Sequence, residues 1–198
     1  RVPLLETAVM ILELPITADI LYLLLMTSFV ASMLTASVGI GGGTLVLAVL
    51  VITVPITAVV PLHSVVQLGS NTGRTVMMRP HVSSTLFWRL LVGAVLGTLL
   101  AAPFSAFWLS EIQLTLLLAV FTLLVTWLPL PAVKTQSLKN HTVFGTAISF
   151  IGVFVSATGP LVAAYMRHQT SGKQELVATM AATVSTMNLF RVLLFSGL

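Results

Sequence analysis

Between residues 20 and 73 the chain carries no Asp, Glu, Lys or Arg, and its apolar positions run on without a period of two. That pattern predicts membrane helices rather than the alternating strands of a membrane β-barrel. A helix needs about 20 apolar residues to cross the hydrocarbon core. Residues 20–39 meet that length, with Asp19 and Tyr22 at the start. Residues 44–53, stopped by Pro55, supply about half of it and predict a re-entrant or half helix. A helix over 57–78 follows and ends at the basic cluster Arg74, Arg79, His81 and Arg89. Residues 90–110 and 112–128 cross next, parted at Glu111 and closed by Pro129 and Pro131. After the most polar connection, 134–141, a span over 142–158 is interrupted at Gly159-Pro160. A second short piece, 161–166, is closed by Arg167, His168, Gly172 and Lys173, and the last helix covers 176–198. Residues 1–19, broken by Glu6, Glu13 and Pro15, hold too few apolar positions to cross and read as an interfacial segment.

Composition agrees with an all-α polytopic membrane protein. With 57% hydrophobic and 7% charged residues, the chain has more apolar surface than a soluble domain can hide. Its nine cations are scattered between spans and form no nucleic-acid surface, so they bear on orientation. Arg74, Arg79 and Arg89, then Lys134 and Lys139, then Arg167 and Lys173 lie in connections that can share one side, while Asp19 and Glu111 lie on the other. The positive-inside tendency makes the first group cytoplasmic. Arg191 is then expected to approach the opposite face. Trp88, Trp108 and Trp127 fall at predicted helix ends, where aromatic belts form. There is no cysteine, the four histidines are far apart without a buried carboxylate, and neither a metal site nor a cofactor is expected. Glu6 and Glu13 argue against a secretory signal, and the start at Arg1 suggests a piece of a longer chain.

Two interruptions carry the candidate chemistry. Gly39, Gly41, Gly42 and Gly43 place four glycines within five residues, each about 1 kcal/mol worse than Ala in a helix. At membrane depth such a break is tolerated only where protein or a water-filled cavity satisfies the backbone. The helix predicted to restart at Thr44 aims free N–H groups and a positive dipole end at the break, which suits an anion. Alternatively the glycines serve only close helix packing. The order span, break, short helix, polar connection, helix with Asn-x-x-Arg occurs twice: 37–47 matches 156–163 loosely, and Asn71 to Arg74 matches Asn188 to Arg191. The first unit enters from the acidic side and the second from the basic side, so the expectation is two inverted repeats with broken or re-entrant helices at their centres. The units are 20–133 and 142–198, joined by a cytoplasmic linker over 134–141. The second then lacks counterparts of 90–128 and is expected to be incomplete at its C-terminus.

Val38-Gly39-Ile40-Gly41-Gly42-Gly43, Val65-Val66-Gln67-Leu68-Gly69-Ser70-Asn71 and Ala157-Thr158-Gly159-Pro160-Leu161-Val162-Ala163-Ala164 resemble the sulfite exporter TauE/SafE family. The resemblance covers about 20–198 and departs from the family's more usual Gly-rich pattern in the second half, at 157–160. It implies a multi-pass carrier with inverted halves in the bacterial inner membrane, acting on sulfite, organosulfonates or related small anions.

On the helix over 57–78, His63, Gln67, Ser70, Asn71 and Arg74 share about one third of the circumference, with Val65, Leu68 and Val76 opposite. Such a stripe should face protein or a cavity. The Gln67 and Asn71 amides can donate to an oxyanion without trapping it as a full charge would, or can instead hold neighbouring helices by hydrogen bonds. Arg74 offers a bidentate grip or snorkels to the headgroups. His63 is a candidate proton-coupling group, although a satisfied core histidine is the commoner case. Arg191 joins Arg74 and His63 as a candidate for gating or coupling. The expected substrate site is Gly41, Gly42, Gly43, Thr44, Gln67, Asn71, Thr158, Gly159 and Asn188. It would take a small inorganic or organic sulfur oxyanion, with a proton or sodium ion as candidate coupling partner and the lipid bilayer as surroundings. No catalytic residue is expected. A passive anion channel is the first alternative, and an intramembrane hydrolase using Ser37 or Ser156 with His63 the second.

Overall fold

The computed structural model describes residues 17–38, 41–105, 110–127 and 137–196. Most of the predicted interfacial segment, Gly39, Ile40, Trp108 and linker residues 134–136 lie outside them. Among the described residues the fold is all-α. The helices are α1 (Ala18–Val38), α2 (Gly42–Thr53), α3 (Ile56–Met77), α4 (Ser84–Ser105), α5 (Glu111–Trp127), α6 (Leu138–Val155), α7 (Gly159–Met166) and α8 (Lys173–Phe195). A single 3₁₀ turn, Arg79–His81, joins α3 to α4. By length and composition α1, α4, α6 and α8 can each cross a membrane. The 22-residue α3 is less apolar because it carries the polar stripe, and Pro61 sits inside its second turn.

Both short pieces are present, but every helix starts one to six residues earlier than the hydrophobic reading has it, and the second break falls at 156–158, with Gly159-Pro160 opening α7. The second helix begins at Gly42 rather than Thr44, because the left-handed residue that ends the break is Gly41 (φ 101°, ψ −26°). Six residues before the predicted start at 90, α4 begins at Ser84; an arginine one turn into a membrane helix can carry its charge outward on its long stem. Four residues of the expected linker belong to α6. Within them Lys139 and Asn140 stay exposed, whereas His141 is buried. Its Nδ1 meets the Tyr165 hydroxyl at 2.8 Å, and Phe144 stacks on the Tyr165 ring at 3.8 Å.

Side-chain contacts fix the order of the bundle. Thr72 Oγ1 meets Ser185 Oγ at 2.6 Å, and the Ser83 N–H donates to Thr179 Oγ1 at 2.9 Å. Moving forward from α3 thus moves backward along α8, and the two are antiparallel. Ser32 on α1 bonds Ser70 on α3. Lys173 donates to the carbonyl of Ser37, which brings the connection before α8 to the C-terminal end of α1.

Because lipid tails are as apolar as leucine, helices in a membrane associate through close packing rather than escape from water. The seam between α4 and α6 shows this. A Cβ added to Gly93 would run into the carbonyl of Thr142, one on Gly97 into that of Thr146, and one on Gly145 into that of Leu90. Thr98 and Ser149 hydroxyls bond at 2.9 Å across the same seam. One apolar cluster, around Leu90, Met166 and Met187, joins α4, α6, α7 and α8. Another, around Leu50, Val59 and Val155, joins α1, α2, α3, α5 and α6.

Gly97→Val should lower stability by about 1–3 kcal/mol, the usual cost of overpacking, read as a fall in the unfolding temperature in detergent. Gly73 has open space around its Cα. Gly73→Ala should leave that temperature unchanged or raise it, since Ala gains up to about 1 kcal/mol over Gly within a helix.

Candidate functional site

The two breaks are satisfied by different chemistry. At the first, the Gly42 N–H donates to Thr35 Oγ1 at 3.1 Å while the Thr35 hydroxyl donates to the Ala31 carbonyl at 2.9 Å. Thr44 Oγ1 donates to the Gly41 carbonyl at 2.7 Å and closes the first turn of α2. A Cβ on Gly42 would overlap Ala31 and Thr35, so glycine lets α2 lie against α1 here.

At the second break Ser156 holds a positive φ (57°, ψ −40°), which few non-glycine residues adopt. A strained residue of this kind persists where its surroundings over-determine it. Here Arg191 Nη1 donates to the Ser156 carbonyl at 3.0 Å and to Asn188 Oδ1 at 2.9 Å, and Nη2 donates to Thr158 Oγ1 at 3.1 Å. The arginine is fully buried, at 0% exposure. Gly152 makes this possible, since a Cβ there would overlap the guanidinium. Arg191, expected to approach the far membrane face, is instead turned into the interior, where the broken backbone supplies acceptors.

His63 joins the two breaks. Its Nε2 lies 2.8 Å from the Gly43 carbonyl and its Nδ1 lies 2.7 Å from Ser156 Oγ. A carbonyl only accepts, so in the neutral ring Nε2 carries the proton and Nδ1 accepts from the Ser156 hydroxyl. Ser64 Oγ stands 3.2 Å from Ser156 Oγ and donates to Val60. His63 is thus a satisfied histidine as well as the link between the two breaks, meeting Ser156 from 93 residues away in sequence.

Beside this link is a cavity of about 30 Å³. From α3 it is lined by His63, Gln67, Asn71 and Arg74, four members of the predicted stripe. Gly41 and Gly43 from the first break, Ser156 and Gly159 from the second, and Asn188 from α8 complete its polar wall. The amides of α3 are bonded along their own helix: Asn71 Nδ2 donates to the carbonyl of Gln67 at 2.8 Å and to its Oε1 at 3.0 Å, and Arg74 Nη1 donates to Asn71 Oδ1 at 3.1 Å. Val65 and Val76, on the far side, are exposed.

Four candidates lie off this wall. Gly42 faces α1, the Thr44 hydroxyl is used within its own turn, and Thr158 and Arg191 bond each other behind the second break. Sequence reasoning missed Thr35 as a lining residue and saw Ser156 only as a nucleophile. A signal was present for the first: Ser28, Ser32 and Thr35 recur at helical spacing on α1. They line a smaller adjoining cavity of about 10 Å³ with Gln67, Ser70 and Arg74. The structure does bring Ser156 and His63 together, whereas Ser37 is exposed, with its carbonyl on Lys173. Among the described residues no group of three His, Cys, Asp or Glu can hold a metal.

Gly152→Ala should push the guanidinium out of its place and lower the unfolding temperature, by about 1–3 kcal/mol of stability for an overpacked site. An unchanged temperature would mean that the Arg191 bonds contribute little.

Comparison with curated proteins and with solved structures finds no match. A family model described as Sulfite exporter TauE/SafE matches residues 24–198, from α1 through both breaks and α8. This chain, a multi-pass helical membrane protein, therefore belongs to the sulfite exporter TauE/SafE family of sulfur-anion transporters.

Proposed function

We propose that the protein is a secondary carrier that moves a small sulfur oxyanion, sulfite or an organosulfonate, across the bacterial inner membrane by alternating access. The observation that carries this reading is the meeting of two helix breaks, distant in sequence, across one polar cavity. Backbone interrupted at membrane depth is used where it borders a cavity, and the helix ends beside it suit an anion.

Gln67, Asn71 and Asn188 are proposed to donate amide N–H groups to the oxyanion, with the starts of α2 at Gly41 to Thr44 and of α7 at Thr158 to Gly159 adding positive dipole ends. Neutral donors bind an anion and still release it, as a carrier must. A cavity of about 30 Å³ holds roughly two waters, so admitting a four-atom oxyanion requires the walls to part. His63 touches both breaks and is the natural place for that movement to be controlled, with a proton or sodium ion as coupling partner. Arg74 lines the cavity from the end of the stripe and suits a gate.

The inverted-repeat reading draws support from the two Asn-x-x-Arg turns. Arg74 to Asn71 and Arg191 to Asn188 form the same bond, at 3.1 and 2.9 Å. Rocking of one such half on the other would expose the cavity to each side in turn.

The Ser156 to His63 contact at 2.7 Å is the one observation that favours a hydrolase. Its second ring nitrogen, however, faces the Gly43 carbonyl instead of a carboxylate that would orient and stabilise a charged base.

Sulfite and organosulfonate counterflow in proteoliposomes tests the carrier. Saturable exchange is expected, and Asn71→Ala, still folded, should slow it by roughly tenfold, the loss of one hydrogen bond to a charged ligand. Saturating flux without counterflow would favour a channel, and no exchange of any tested sulfur anion would overturn the substrate class.

A further inference from the structure

We propose that Arg191 sets the charge selectivity of the cavity, as a fixed cation behind its wall whose missing counter-charge is supplied by the bound oxyanion. The proposal rests on the reading that this cavity is the anion site. It does not require Arg191 to touch the ligand.

Arg191 is fully buried, and its acceptors among the described residues are neutral: the Ser156 carbonyl, Asn188 Oδ1 and Thr158 Oγ1. A guanidinium keeps its proton in proteins, so the charge is present. Among the described residues the carboxylates are Asp19 and Glu111, both exposed, and Glu175, which accepts from the Ser171 N–H. None of them is paired with Arg191. A buried charge without an opposite charge is costly, and removing it from water makes any anion that reaches it correspondingly welcome.

Two further donors are unused. Arg191 Nε and Asn188 Nδ2 are both buried without a partner, although their residues share the Nη1 to Oδ1 bond. Unsatisfied buried donors are rare, and Asn188 lines the cavity. Ser156 and Asn188, two of the residues that hold the guanidinium, are also part of the cavity wall, so the charge stands one residue behind the ligand space. Burial shields this charge from salt. Arg74, by contrast, is half-buried and lines the cavity itself.

Methanesulfonate and dimethyl sulfone have nearly the same shape and differ by one negative charge, so the ratio of their affinities reads charge selectivity apart from fit. For purified protein in detergent, the ratio measured by calorimetry should favour methanesulfonate. In Arg191→Gln it should fall by about 10- to 100-fold, the effect of one charge acting through space across several ångströms of protein, while Arg191→Lys should keep most of it. A purely structural latch would lower both affinities together and leave the ratio unchanged in Arg191→Gln, which would overturn the proposal. Should Arg191→Gln fail to fold, Thr158→Asp gives Arg191 an internal counter-ion from behind the wall. It should remove the preference for methanesulfonate, while Thr158→Val keeps it; equal ratios in the two would also overturn the proposal. If the unmodified protein binds neither methanesulfonate nor sulfite, the anion site itself is wrong and both readings fall. If it binds and only the ratio is insensitive, the carrier reading stands and Arg191 is structural.

Discussion

The structure depends on satisfying broken backbone where water is scarce. Each peptide group left without a partner in hydrocarbon costs several kcal/mol, and here α1 and α6 each stop at a break that a short helix, α2 or α7, follows. On its α2 side the first stop is handled locally. Thr35 and Thr44, a few residues to either side, provide hydroxyls for the Gly42 N–H and the Gly41 carbonyl. The second stop is handled from a distance: a cation on α8 reaches across to the Ser156 carbonyl and the Thr158 hydroxyl.

That difference gives the cavity its character. Because glycine can turn left-handed without help, the first break needs no buried charge, and α2 lies close to α1. Because serine cannot do so cheaply, the second break is fixed by an arginine and by His63. The result is a polar wall that carries Arg74 and has a second positive charge, Arg191, behind another part of it.

A rigid frame is needed for this arrangement to hold. The glycine seam between α4 and α6 brings two backbones into contact, and the apolar cluster behind it reaches α7 and α8. Thus α7 and α8 stand on α4 and α6, while α2 stands on α1 and α3. His63 and Ser156 meet where the two groups of helices face each other. Motion between these groups acts on that contact and on the Thr72 to Ser185 bond between α3 and α8.

The sequence by itself determined the class of protein, the number and order of the helices among the described residues, and both breaks. Apolar length, glycine and proline act locally, so a single chain suffices to read them. The polar stripe from His63 to Arg74 was legible for the same reason, as helical spacing puts its members on one face. Helix starts at Ser84 and Leu138 were less legible, because a lone Arg89 or His141 enters a helix when its partners or its stem allow, and those lie elsewhere in the chain. Only the tertiary structure decided the fates of the two arginines. Asn71 to Arg74 and Asn188 to Arg191 are the same local motif, yet Arg74 lines the cavity and Arg191 is buried behind it. A long side chain goes where acceptors are. For Arg191 two of its three acceptors, at Ser156 and Thr158, and the notch at Gly152 that admits it, are more than 30 residues away in sequence.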